Sequence, residues 1–163
     1  MAALSANKSR PVLVPAGGLT MQKLPLAGYT NFGGGSTAHT VYAGCPVACD
    51  VSDTDGYFRA VSSGITWASG DIFGGMAFEK QSVTSSDAAD GSVIVSVFVN
   101  GIWAFPIGSI AITDVGAPIY VSDDDTATTS STNTLWIGLL VAVDATYAWV
   151  NIAPAAGRAN SAT

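Results

Sequence analysis

Charge is what this chain has least of. Only 11% of its 163 residues are Asp, Glu, Lys or Arg, against about 25% in an ordinary soluble domain. There is one histidine (His39), one glutamate (Glu79) and two cysteines (Cys45 and Cys49). With a single histidine, any Ser-His-Asp or Cys-His arrangement has only His39 as its base. His39 lies in a run of Thr and Tyr that reads as a strand, which suits a packed or surface imidazole better than a catalytic one. A glycosidase needs two carboxylates across a cleft. Here the acids fall at Asp53, Asp87, Asp90, Asp114, Asp123 and Asp144, in segments with turn composition where Asp is favoured for local hydrogen bonding. No catalytic residue is assigned, and the chain is read as a non-enzyme.

Metal and cofactor motifs are equally scarce. Residues four apart on a strand are roughly 13 Å apart, too far for a disulfide between Cys45 and Cys49. They read as unbridged, small, mostly buried thiols made in a reducing compartment. Two thiols and one imidazole fall short of a four-ligand zinc site. Asp53-Thr54-Asp55-Gly56 has its glycine too early for an EF-hand loop, and the adjacent charges of Asp123-Asp124-Asp125 fit a solvated loop. Gly33-Gly34-Gly35 has no lysine and no helix after it, so it is no phosphate loop. Neither a metal nor a cofactor is expected. The longest apolar run, Leu135–Val143, is nine residues, which is strand-sized and too short to span a membrane. No signal-peptide core is visible in the first 25 residues.

The few charges are unevenly placed. Lys8, Arg10 and Lys23 precede the first acid, Asp50, so residues 1–49 carry +3 and the remainder −9, for a net −6. Three separated cations make no nucleic-acid footprint. A basic arm on an acidic body instead points to an arm lying on an adjacent copy. A surface this poor in long charged side chains loses little entropy when buried against neighbours, and interface cores are themselves depleted in charge.

What the chain does contain is β-structure. Pro11, Pro15, Pro25 and the glycine pairs make residues 1–35 an extended arm, of which Arg10–Val14 is able to pair at a sheet edge. Residues 36–153 read as a β domain, and 154–163 as a flexible tail. Strands are expected at His39–Ala43, Pro46–Val51, Tyr57–Val61, Ile72–Glu79, Ile119–Ser122, Leu135–Val143 and Tyr147–Ile152. Ser62–Ser69 is a loop around Ile65 and Trp67, Gln81–Gly91 and Asp123–Asn133 are polar loops, and Pro106–Val115 holds one helical turn. Asn100-Gly101, between two β-branched and aromatic runs, predicts a type I′ hairpin. Its register pairs Val99 with Ile102 and Val97 with Ala104 on one face, Phe98 with Trp103 and Ser96 with Phe105 on the other. Both faces are apolar, so one should meet the core and the other the arm or a second subunit. On Leu135–Val143, alternation puts Ile137, Leu139, Val141 and Val143 on one face. The fold class is all-β: a compact sandwich or partly closed barrel with an extended N-terminal arm. Lys8, Arg10, Lys23, Phe98, Trp103 and Phe105 are the expected interface residues.

The order of these segments resembles a family. YAGCPVACDVSDTDGYFRA, ASGDIFGGMAFEK, ADGSVIVSVFVNGIWAFPI, DVGAPIYVSDDDTATTSSTNTLWIGLLVAV and AWVNI resemble, in that order, the segments of tailed-phage capsid cement (decoration, head-stabilising) proteins. The resemblance runs from Tyr42 to Ile152. It implies a virion protein made in the host cytoplasm, bound as a homotrimer to the outside of the assembled capsid. Its partner would be the major capsid protein, with neither nucleic acid nor membrane involved. Many weak contacts would then act together. The alternative is a carbohydrate-binding or adhesion module displayed on a virion, in which an exposed tryptophan such as Trp149 stacks on sugars.

Overall fold

The computed structural model describes residues 6–31, 36–51, 56–62, 66–67, 70–132 and 134–154. The Gly33–Gly35 run, the turn at Asp53–Asp55, Ile65 and the tail from residue 155 onward lie outside them. The elements in chain order are β1 (Val12–Leu13), β2 (Met21–Pro25), β3 (His39–Val41), β4 (Pro46–Cys49), β5 (Phe58–Ala60), β6 (Ile72–Ala77), β7 (Gln81–Val83), β8 (Ile94–Phe98) and β9 (Ile102–Pro106). A 3₁₀ turn (Ile112–Asp114) follows, then β10 (Pro118–Val121), β11 (Ala127–Thr128), β12 (Leu135–Val143) and β13 (Tyr147–Ile152). Except for β2, which falls in the arm outside the Arg10–Val14 segment expected to pair, the strands of the arm and of the expected runs match the sequence expectation within a few residues. The two polar loops each carry a short strand that composition did not reveal, β7 and β11.

The class is all-β. A six-stranded antiparallel sheet runs β1-β9-β13-β12-β10-β11, a five-stranded one runs β2-β8-β6-β4-β5, and β3 pairs with β7. The two large sheets form a sandwich. Phe73 and Met76 of one layer and Trp103, Phe105, Ile119, Leu135, Ile137, Leu140 and Val150 of the other share one buried core. A second core of Leu26, Val41, Val47, Val83, Val95 and Val97 joins the five-stranded layer to the β3–β7 pair. A single bridge, Leu26 to Phe58, draws that layer's two edges together without closing a barrel.

The Asn100-Gly101 hairpin does not form. β8 pairs with β2 and β6, β9 with β1 and β13, so the two strands lie in different layers. Asn100-Gly101 is the corner between them. Each strand already has a neighbour on both sides, which leaves no edge for the other. Residues 12–25 run antiparallel beside residues 94–103 through both layers, β1 on β9 and β2 on β8. The N-terminal segment is extended, as expected. It is a strap that supplies an edge strand to each sheet.

Alternation also fails along β12. Two bulges, at Ile137 and Val141, interrupt its pairing with β10 and β13, and each extra residue reverses which parity faces the core. Ile137 and Leu140 are therefore buried while Leu139 and Val141 are exposed. Gly138 is required beside the first bulge, because a Cβ there would lie 2.1 Å from the Asn151 carbonyl oxygen.

Candidate functional site

The bulges and the register assemble a continuous outward face on the six-stranded sheet. Cross-strand pairing lines up Leu13, Ile102, Asn151, Leu139 and Pro118 on five neighbouring strands. Next to this row lie Ala104, Trp149 and Ala142, and then Pro106 and Tyr147. No residue in these rows is charged. Leu13 is 54% exposed and Leu139 47%, while Trp149, Tyr147 and Ile102 are half-buried. Strand spacing makes the first row roughly 19 Å long. A solvated antiparallel face ordinarily alternates polar-out, whereas here Asn151 is the one polar residue of the rows, and a contiguous exposed apolar surface is a mark of interaction sites.

At its rim, Asp144 orders the aromatic pair. Its Oδ1 accepts the main-chain N–H groups of Thr146 and Tyr147 at 2.7 and 2.8 Å, and its Oδ2 accepts the Trp149 indole N–H at 2.7 Å. Tyr147 stands nearly edge-on to Trp149, with centroids 6.1 Å apart. The indole bond, with the two main-chain donors, holds the Asp144 carboxyl below its ordinary range. A depressed carboxyl favours the folded state above its unfolded pKa and loses that contribution as pH falls through its folded value. Trp149 fluorescence, taken as the difference from Trp149→Phe, should therefore titrate with a midpoint below the ordinary Asp value of about 3.9. Asp144→Asn should abolish that transition, and a midpoint at or above the ordinary value would contradict the geometry.

The expected basic contacts face inward. Arg10 is only 7% exposed. Its Nε donates to the Gly44 carbonyl at 2.6 Å, and its Nη2 to the Asp124 carbonyl at 2.6 Å and Asp125 Oδ1 at 3.0 Å. The guanidinium lies 4.5 Å from the centre of the Phe105 ring. Lys8 pairs with the same Asp125 carboxylate. Lys8 and Arg10 of the strap therefore meet the acidic body of their own chain. The acidic triplet is no solvated loop either. Asp123 and Asp124 are buried, and Asp123 Oδ1 accepts the main-chain N–H groups of Asp125 and Thr126 at 2.9 and 2.6 Å. It turns the loop so that Asp124 and Asp125 face the strap.

Of the residues expected at an interface, Arg10, Trp103 and Phe105 are core, the last two 5% and 0% exposed. Their apolar surface is taken up by the opposite sheet and the strap rather than by a partner. Phe98 is half-buried, 5.6 Å from Trp103 and edge-on to exposed Phe78 at 5.4 Å. Lys23 is exposed on β2. The outward face of Leu13, Ile102, Leu139, Tyr147 and Trp149 was missed, apart from Trp149. The available signal was apolar residues at both parities of Leu135–Val143.

The remaining candidates show no assembled chemistry. Burial lowers the His39 pKa. Burial, with the nearby Asp124 charge, pushes the Cys45 thiol up to about 12, which makes it a packed thiol without nucleophilic character. Among the described residues, no group of three or more His, Cys, Asp or Glu side chains is placed to hold a metal ion. No helix among them is long and apolar enough to cross a membrane. No protein-family model matches the chain, and no curated protein and no solved structure matches it either.

Proposed function

We propose that this chain is a structural virion protein that binds the outer surface of an assembled phage capsid and cements neighbouring major capsid proteins, acting as a homotrimer. The observation that carries this reading is the uncharged outward face of the six-stranded sheet. The face is presented by paired strands, so its side chains are held in place before binding, which lowers the ordering cost. The net charge of −6 keeps the proteins dispersed, and the uncharged face is where close approach meets least repulsion. Several copies contacting several capsid subunits would add their modest contacts multivalently. Binding only to the assembled shell would stabilise it by mass action.

The test is to mix the purified chain with expanded, undecorated heads of its own phage. Attachment, together with heads that resist heating better than bare ones, is expected. No attachment, or unchanged heat resistance, would sink the proposal. The ordered Tyr147–Trp149 pair favours one rival, a sugar-binding module. A glycan array with no binder, together with Trp149→Ala heads still decorated, would dismiss it.

A further inference from the structure

The corner between the two layers carries a second feature, beside the end of the outward row. Asn100 is the clasp of the strap. Its Oδ1 accepts the Thr20 main-chain N–H at 2.7 Å and its Nδ2 donates to the Gly18 carbonyl at 3.0 Å. The residue that follows is Gly101, which has a φ of +108° and no side chain to hinder its main-chain nitrogen. That N–H donates to no acceptor among the described residues. We propose that Asn100-Gly101 is a spontaneous modification site: a latch that fastens the strap as an amide and releases it once converted to aspartate or isoaspartate.

The chemistry needs only water and a base. The Gly101 nitrogen, losing its proton to solvent base, attacks Asn100 Cγ. The new N–Cγ bond closes a five-membered imide, the Cγ–Nδ2 bond breaks, and ammonia leaves. Water then adds to either imide carbonyl and opens the ring, returning a proton to the nitrogen. Attack at one carbonyl gives aspartate, and at the other isoaspartate, which lengthens the main chain by one carbon at the corner. In both products the Nδ2 donor is gone. Where aspartate forms, a carboxylate oxygen faces the Gly18 carbonyl oxygen, and two acceptors repel where a hydrogen bond had been.

The strap shields its own latch. A Cβ built on Gly101 would lie 2.9 Å from Leu19 Cδ2 and 3.3 Å from Val12 Cγ2, so strap side chains rest directly on the reacting glycine. Gly101 is buried and Asn100 half-buried, and a groove of 290 Å³ bordered by Leu13, Pro15 and Asn151 lies beside them. Conversion should therefore follow local opening of the strap, and each conversion leaves a strap that opens more readily.

The experiment incubates the full chain in mildly alkaline buffer, native and in urea. Conversion at Asn100 is followed by peptide mass mapping and isoaspartate-specific methylation. The native chain should convert at least about tenfold more slowly than the chain in urea, and Leu19→Ala should convert faster than the native chain. Converted protein separated by ion exchange, and Asn100→Asp made directly, should exchange the Thr20 amide faster while β6 amides keep their protection. Leu19→Val serves if Leu19→Ala does not fold. Equal rates in buffer and urea, no conversion in urea, or unchanged Thr20 exchange after conversion would each overturn the proposal.

Discussion

Replacing Arg10 by Ala should destabilise the chain by about 3 kcal/mol, the scale for breaking a buried ion pair from one side. The guanidinium serves four acceptors at once: the Gly44, Ala104 and Asp124 carbonyls and the Asp125 carboxylate. Ala leaves these buried carbonyls without that donor and removes a cation from above Phe105. Lys8 still pairs with Asp125, which keeps the loss from being larger. For a domain of this size the thermal midpoint should fall by roughly 10 °C. Arg10→Lys should recover only part of it, since an ammonium cannot span the same fork of acceptors. Urea denaturation gives the measurement, and a loss under about 1 kcal/mol would mean that the strap is held by its strands alone. The same geometry changes what deleting residues 2–22 should do. A detachable arm would leave a folded domain. Here the deletion removes β1 and the start of β2, baring an edge of each sheet, and the truncated chain should lose cooperative unfolding.

The strands were largely legible because their signals are local. β-branched and aromatic runs between Gly and Asp placed β12 and β13 to the residue, and Val12–Leu13 fell inside the Arg10–Val14 segment expected to pair at an edge. What failed depends on partners distant in sequence. Asn-Gly favours a hairpin only when the flanking strands have edges to offer each other. Residues 12–25 and β6 and β13 take those edges first. The two bulges in β12 are likewise set by β10 and β13, and without them strict alternation puts Leu139 on the wrong face. Charge asymmetry correctly marked the strap as basic and the body as acidic. Composition alone has no means of telling an intramolecular clamp from a contact with a neighbour. The intramolecular contacts of Lys8 and Arg10 depend on the placing of Asp124 and Asp125, and three adjacent acids give no sign of that in sequence.

The second large effect concerns binding rather than folding. Leu13→Asp combined with Leu139→Asp places two charges in one cross-strand row on the outward face. Both side chains are about half exposed in the isolated chain, so unfolding should move by no more than about 1 kcal/mol. Attachment to heads should weaken by at least about 30-fold at each contact, corresponding to the roughly 2 kcal/mol of a hot-spot residue. Burying an unpaired carboxylate adds to that loss. Because multivalent attachment compounds the per-contact deficit, the doubly substituted chain should leave heads as heat-sensitive as undecorated ones. Comparison with Trp149→Ala separates the readings. A docking face tolerates the loss of one half-buried aromatic better than two charges in its most exposed row, whereas a sugar platform loses everything with its tryptophan and little with the leucines. If the double substitution instead leaves attachment intact while Lys23→Glu or Phe98→Asp removes it, the contact lies on the strap side of the five-stranded layer. The apolar outward row would then need another explanation.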